Sequence, residues 1–129
     1  METLGQSPFS TLIGPIEVTW DPAPVFETVV REVCANSMGR AHGGFIAALI
    51  DIATGQGVKR ILDDGRSLVT ATTSTQYLSA VRVGDRLSVD VGVDKNTTRM
   101  VFASCRVSTQ DRPVATASVV FSARPRPEP

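Results

Sequence analysis

The chain has 129 residues, a length typical of one domain that buries about two-thirds of its unfolded surface without disulfides or metals. Thirteen basic and thirteen acidic side chains give a formal net charge of zero. No run of like charge is long enough to follow a phosphate backbone, so nucleic acid is not an expected partner. No segment approaches the ~18 to 20 apolar residues of a membrane span, and no basic, apolar leader opens the chain, so we expect a cytoplasmic protein without a membrane partner.

The two ends of the chain predict irregular structure. Residues 1–15 contain Gly5, Pro8, Gly14 and Pro15 and predict a loose arm or a short lead-in element, where we expect little chemistry. The other end, residues 124–129, lies in "ARPRPEP", where proline at every second position removes backbone donors. This composition predicts an extended or disordered tail.

Periodicity predicts the elements between these ends. The segments "IEVTW" and "FETVVREV" alternate in polarity and are separated by "DPAP", which predicts two short strands or one hairpin. From Gly43 to "DDG", apolar side chains recur around most of a helix's circumference, which predicts a long helix buried nearly all round. Four strands are predicted to follow, in "VTATTSTQY", "LSVDVGV", "RMVFASCRV" and "VATASVVF".

This order of elements predicts an α+β fold in which one helix packs on one face of a curved antiparallel sheet. Because one helix cannot cover six strands, we expect the chain to associate with a second copy of itself. Cys34 and Cys105 lie far apart in strand-like segments without the spacing of a zinc site. They are predicted to be buried, reduced thiols.

Asp51 is the one carboxylate inside the apolar helix. Burying an ionised carboxylate is costly, so Asp51 needs a hydrogen-bonding partner or a chemical task. Its neighbours one helical turn away are all small, which leaves space beside the carboxylate: Ala47, Ala48, Thr54 and Gly55. This open space favours a functional carboxylate over the alternative, a paired core aspartate.

The sequence His42-Gly43-Gly44 stands where a loop enters the helix. Backbone N–H groups there lack intrahelical partners and the helix dipole favours negative charge, so the junction suits an oxyanion. The alternative is that the glycines only permit a tight entry turn. Gly43 and Asp51 are about 12 Å apart along a helix at 1.5 Å per residue, so both can act on one acyl carbon only if two copies lie antiparallel and share each site.

The motif "N-x-x-G-x-x-H-G-G" ahead of an aspartate resembles that of the hotdog-fold acyl-CoA thioesterases of the PaaI type. Its residues here are Asn36, Gly39, His42, Gly43, Gly44 and Asp51. The stretches "SLVTATTSTQYLSAVRVGDRLSVDV" and "RPVATASVVF" also look like strands of that family, and the resemblance covers about residues 16–123. It implies one hotdog domain over residues 1–129, with a sheet wrapped around a central helix. It further implies dimers joined through a continuous sheet, often paired into tetramers.

The resemblance also implies an activity and a site. The reaction would be hydrolysis of a thioester to a free acid and coenzyme A, without a metal or a bound cofactor, coenzyme A being part of the substrate. Asp51 would be the nucleophile or general base, and the Gly43 N–H would polarise the thioester carbonyl. Asn36 would hold the water or the substrate carbonyl, His42 would shape the loop, and Thr70 would place a hydroxyl beside the carboxylate.

Other residues are candidates for binding the substrate. Gly44 adjoins the oxyanion position, and three further side chains are candidates for lining an apolar or aromatic acyl pocket: Met38, Phe45 and Tyr77. Arg40 and Arg82, and also Lys59 or Arg60, are candidates for the phosphates of coenzyme A, the alternative being solvated surface charge.

Three other readings of the same residues stay open. The chain could be a hotdog dehydratase or hydratase acting on a 3-hydroxyacyl or enoyl thioester with His42 as the base. A Cys34 and His42 nucleophile pair is disfavoured, because no orienting Asn or Asp is evident. The chain could also be an acyl-CoA-binding module without catalysis.

Overall fold

The computed structural model describes residues 1–5 and 7–125. Its strands are β1 (Glu2–Thr3), β2 (Glu17–Thr19), β3 (Val25–Val29), β4 (Ser67–Tyr77), β5 (Arg86–Asn96), β6 (Met100–Thr109) and β7 (Arg112–Arg124). Its helices are α1 (Pro8–Ile13), a 3-10 helix (Glu32–Cys34) and α2 (Gly43–Leu62). In the described part of the chain the strands form one antiparallel sheet in the order β1-β2-β3-β5-β6-β7-β4. The predicted α+β class and the single long helix are confirmed.

The first third of the chain differs in part from the prediction, which allowed a short lead-in element and two short strands. The arm contains β1 and α1, so the sheet has a seventh strand where six were expected. Ser7 and Ser10 form a capping box at the start of α1, with Pro8 in the first turn, which is a recognisable helix start. The strand predicted in "FETVVREV" ends at Val29, and Cys34 lies in the 3-10 helix instead of a strand.

The C-terminal tail begins later than predicted. Arg124, the first residue of the predicted tail, is the last residue of β7. The prediction for Pro127 and Pro129 falls outside the described residues.

The core lies between α2 and the concave face of the sheet. The helix approaches the sheet closely at Gly57, where a Cβ would stand 3.1 Å from the Val91 side chain. The helix ends after Leu62, where Asp63 adopts a left-handed conformation (φ 44°) and its N–H bonds the Lys59 carbonyl. Helix residues buried against the sheet are Phe45, Ile46, Leu49, Ile50, Ala53, Thr54, Gly57 and Val58.

One side of α2 is not covered by its own chain. Asp51 and Gln56 are exposed, and Ile52 and Gly55 are half-buried. The expectation of a helix buried nearly all round is therefore wrong for the single chain. The core side is apolar, as its spacing predicts, but the side that bears Asp51 faces outward.

Strand β4 forms one edge of the sheet and pairs with β7. None of its eleven residues is buried and nine are exposed. Its register shifts by one residue at Ala71, so that Thr70 pairs with Phe121 while Thr72 pairs with Val120. Such a β-bulge changes which face the following side chains occupy.

Both cysteines are buried and free, as the sequence predicts. Burial raises the pKa of both thiols. Among the described residues, none of the helices combines the length and the apolar composition of a membrane-spanning segment.

Candidate active site

Asp51 and Thr70 form the one direct contact among the predicted catalytic side chains. The Thr70 hydroxyl donates a 2.7 Å hydrogen bond to Asp51 Oδ1. Asp51 projects from the middle of α2, and Thr70 lies on the inner face of β4, opposite the buried Phe121. A hydroxyl held on a carboxylate fixes the rotamer of the carboxylate and leaves its other oxygen available for a proton or a substrate.

A cavity of about 290 Å³ adjoins this pair. One wall is mainly apolar and comprises Ile52, Gly55, Leu68 and Phe121. A Cβ built on Gly55 would meet no atom within 4 Å, so the absent side chain keeps part of this cavity open. The space that the small neighbours of Asp51 suggested is therefore found at Gly55.

The N-terminal arm forms the other wall of the cavity, through Leu4, Gly5, Ser7 and Ser10. Little chemistry was expected in this arm, because its glycines and prolines indicate irregular structure. The Ser7 and Ser10 capping box was the available signal that the arm is ordered. The arm lies beside Asp51 because β1 pairs with β2, and local sequence patterns do not reveal that pairing.

The start of α2 presents a second polar centre. His42 is the N-cap residue, and its Nδ1 accepts a 2.8 Å hydrogen bond from the Gly44 N–H. The Gly43 N–H, at the first helical position, has no intrahelical carbonyl to donate to and lies at the positive end of the helix dipole. The Gly43 carbonyl accepts a 2.9 Å hydrogen bond from the Tyr77 hydroxyl.

The loop before the helix is organised by Asn36. Its Oδ1 accepts hydrogen bonds from the backbone N–H groups of Met38 (2.9 Å) and Arg40 (3.2 Å). The backbone N–H of Asn36 donates to the Arg40 carbonyl at 2.7 Å. The side-chain oxygen of Asn36 is thus occupied in shaping the loop, and its amide N–H₂ remains the group that could donate to a substrate.

Arg40 and Arg82 lie opposite each other in an isolated antiparallel bridge. Both are exposed, and within the described residues neither forms a salt bridge. Arg82 and Met38 line a cavity of about 520 Å³. Two like charges held side by side, neither of them in a salt bridge with a described residue, favour binding of an anion, although Glu32 lines the same cavity.

The remaining candidates have different surroundings. Phe45 is buried in the core at 6% exposure, whereas Met38 and Tyr77 are exposed. Arg60 stacks over the Trp20 ring at 4.7 Å. Phe45 therefore packs in the core, and Arg60 packs on Trp20, which directly follows β2.

Cys34 does not form a nucleophile pair with His42. Its thiol is buried and points at the Ile13 carbonyl, 3.7 Å away. Burial raises the pKa of this thiol, so it holds its proton at neutral pH. The Nδ1 of His42 is already engaged by Gly44.

An antiparallel sheet wrapped around one long helix is the architecture of hotdog-fold proteins. The structure is similar to a variant of the phenylacetic acid degradation protein PaaI from Thermus thermophilus, with a TM-score of 0.80, 21% identity and coverage of 90% of this chain and 98% of that chain. It is also similar to a hypothetical thioesterase protein from Streptococcus pneumoniae solved with coenzyme A, with a TM-score of 0.77, 24% identity and coverage of 87% and 91%. These similarities confirm the predicted fold.

Sequence comparison extends the result from fold to family. The chain is 35% identical over 117 residues to a Pseudomonas aeruginosa protein named "Putative esterase PA0474", over 89% of this chain and 87% of that protein. Residues 38–116 match the thioesterase superfamily. The chain belongs to the thioesterase superfamily and is a thioester hydrolase.

Proposed function

We propose that the chain hydrolyses acyl-CoA thioesters to a free acid and coenzyme A, with Asp51 as the nucleophile or general base. The observation that carries this proposal is the 2.7 Å bond from Thr70 to Asp51 at the wall of a cavity. It supports an oriented carboxylate with space beside it for an acyl group. We also propose that the protein is cytoplasmic, as the sequence predicts. Both cysteines are unpaired, which is typical of a reducing compartment.

The chemistry can follow two routes from the same geometry. As a general base, Asp51 takes a proton from water while the water oxygen bonds to the thioester carbon; the carbon–sulfur bond then breaks and the proton passes to the leaving thiolate. As a nucleophile, Asp51 displaces the thiolate and forms an anhydride that water hydrolyses. In both routes the carbonyl oxygen becomes negative, and the Gly43 N–H at the helix N-terminus stabilises it.

The proposal requires a second copy of the chain. Gly43 and Asp51 lie about 12 Å apart along α2, too far to contact one carbonyl group. The exposed edge of β4 offers a surface on which a second copy can continue the sheet. We therefore propose a homodimer in which Asp51 and Thr70 of one chain meet the Gly43 loop of the other, giving two sites, with a further pairing into a homotetramer.

We propose that the substrate spans two cavities, the one beside Asp51 and the one lined by Met38 and Arg82. Arg40 and Arg82 would bind the phosphates of coenzyme A, while Gly44 and Met38 would lie beside the thioester end of the carrier. The solved S. pneumoniae relative contains coenzyme A, which supports this carrier. The apolar wall beside Asp51 supports an apolar or aromatic acyl group. Phe45 is buried, so it would support the acyl pocket from the core and would not line its surface.

The geometry of His42 disfavours the dehydratase or hydratase alternative. In a neutral imidazole whose Nδ1 accepts a hydrogen bond, the proton resides on Nε2. Since His42 Nδ1 accepts from the Gly44 N–H, its Nε2 is a donor and not a base. His42 would therefore support the loop, as the resemblance implies.

The test is thiol release from a panel of aliphatic and aromatic acyl-CoAs by the wild type, Asp51→Asn and the control Asp90→Asn. Asp90 carries the same change on an exposed position of β5. We expect Asp51→Asn to lose at least a hundredfold in kcat, or about 2.7 kcal/mol at 1.36 kcal/mol per tenfold, and Asp90→Asn to keep the wild-type rate. A folded wild type that binds acyl-CoA without turnover would instead indicate a binding module, and equal rates for wild type and Asp51→Asn would remove Asp51 from the mechanism.

A further inference from the structure

Tyr77 and His42 hold the two polar ends of one peptide group. This peptide joins Gly43 to Gly44 in the first turn of α2. Its carbonyl accepts a hydrogen bond from the Tyr77 hydroxyl at 2.9 Å, and its N–H donates to His42 Nδ1 at 2.8 Å. The plane of this peptide is therefore fixed from β4 on one side and from the N-cap on the other.

This peptide needs an external anchor. The first turn of a helix lacks partners for its N–H groups and tends to fray. Two successive glycines add backbone freedom at the same place. The two bonds to Tyr77 and His42 restrict the peptides that flank the Gly43 Cα, and with them the direction of the Gly43 N–H.

The ring of Tyr77 also packs against Gly43. A Cβ on Gly43 would lie 3.7 Å from Tyr77 Cζ and 3.8 Å from its hydroxyl oxygen. Tyr77 is the only tyrosine in the chain, and it pairs with the buried Ala115 on the inner face of the sheet. The side chain is thus turned toward the helix start.

We propose that Tyr77 is a positioning residue for the oxyanion donor: its hydroxyl, acting through the Gly43 carbonyl, aims the Gly43 N–H at the thioester oxygen. The proposal rests on the function proposed above and assigns Tyr77 a role other than lining the acyl pocket. Because an oxyanion donor acts mainly in the transition state, Tyr77 affects kcat more than KM.

The experiment compares wild type, Tyr77→Phe, His42→Ala and the double variant in acyl-CoA hydrolysis. Tyr77→Phe keeps the ring and removes only the hydroxyl. We expect kcat to fall about three- to tenfold, as for loss of one neutral hydrogen bond, with KM within twofold and no change in acyl preference. Since both side chains hold one peptide, the loss in the double variant should differ at least threefold from the product of the single losses.

A second readout does not depend on activity. The amide proton resonances of Gly43 and Gly44, followed by NMR in wild type and Tyr77→Phe, should shift because the peptide between them loses an anchor. Unchanged resonances, or an unchanged kcat with an altered KM or acyl preference, would overturn the positioning role. If the wild type hydrolyses no thioester while the resonances shift as expected, the proposed function fails but the anchor stands.

Discussion

Thr70 and Tyr77 point to the same side of β4 although they are seven positions apart. In a regular strand an odd separation places two side chains on opposite faces. The bulge at Ala71 adds one residue, so Thr70 pairs with the inward Phe121 and Tyr77 with the inward Ala115. One strand thereby contacts Asp51 through Thr70 and Gly43 through Tyr77.

Gly43→Pro is expected to remove the oxyanion donor while keeping the helix. Proline is favoured at the first helical position, and His42 already has the extended conformation required before proline (φ −66°, ψ 137°). We expect kcat to fall about a hundredfold or more, as for loss of one oxyanion donor, measured by thiol release.

The matched control is Gly43→Ala, which keeps the N–H and adds a methyl group in ordinary contact with Tyr77. It should retain most of the activity. Equal losses in the two variants, with intact melting temperatures, would show that the N–H of Gly43 has no special role.

Mixing two inactive variants is expected to restore activity. In a dimer of one Asp51→Asn chain and one Gly43→Pro chain, one site carries both changes and the other carries neither. Random exchange of equal amounts gives half heterodimers, so about a quarter of the wild-type activity should return. No recovery despite verified subunit exchange would mean that Asp51 and Gly43 act within one chain, or not at all.

Gly55→Leu is expected to narrow the acyl specificity. The new side chain would enter the space beside Asp51, where a Cβ on Gly55 meets no atom within 4 Å. We expect kcat/KM for the largest accepted acyl groups to fall at least tenfold relative to acetyl-CoA, in line with the effect of pocket contacts. Light scattering checks that the variant still forms the dimer. An unchanged acyl preference in an intact dimer would show that Gly55 does not border the acyl pocket.

Two glycines of α2 should respond oppositely to alanine. Gly55→Ala should raise the free energy of unfolding by up to about 1 kcal/mol, because alanine is the better helix former and the site is open. Gly57→Ala should lower it by about 1 to 3 kcal/mol, because its Cβ would crowd Val91 at 3.1 Å. Urea unfolding measures both, and a stabilised Gly57→Ala would contradict the close packing of helix on sheet.

The two thiols should be unreactive in the folded protein. Burial raises the pKa of Cys34 and Cys105, so the thiolate fraction at a given pH is smaller than for a free cysteine. A thiol reagent at pH 8 should therefore label neither cysteine in buffer within minutes and both in urea. Rapid labelling in buffer would contradict their burial.

Local sequence signals predict the elements that position the site. The Gly43 pair and "DDG" mark the limits of α2, the Thr and Val content marks β4, and alternation is clearest in β5. The position of the N-terminal arm beside Asp51 is not predicted, and its Gly and Pro residues obscure the Ser7 cap.

The pairing of Thr70 with Asp51 follows from the resemblance, but the role of Tyr77 could not be predicted. Strict alternation counted from Thr70 places Tyr77 on the outer face, and the bulge that reverses this has no signal in "VTATTSTQY". A bulge depends on the register with the neighbouring strand, which is a tertiary property.

In the proposed dimer, each site is shared between two copies, so the activity of the enzyme should depend on its own concentration. A lone chain carries Asp51 and Thr70 together, but the start of its own α2 lies about 12 Å away along the helix. At protein concentrations below the dissociation constant of the dimer, most chains are monomers and few sites are complete. Specific activity would then decline on dilution, and dimer assembly would convert an inactive enzyme into an active one.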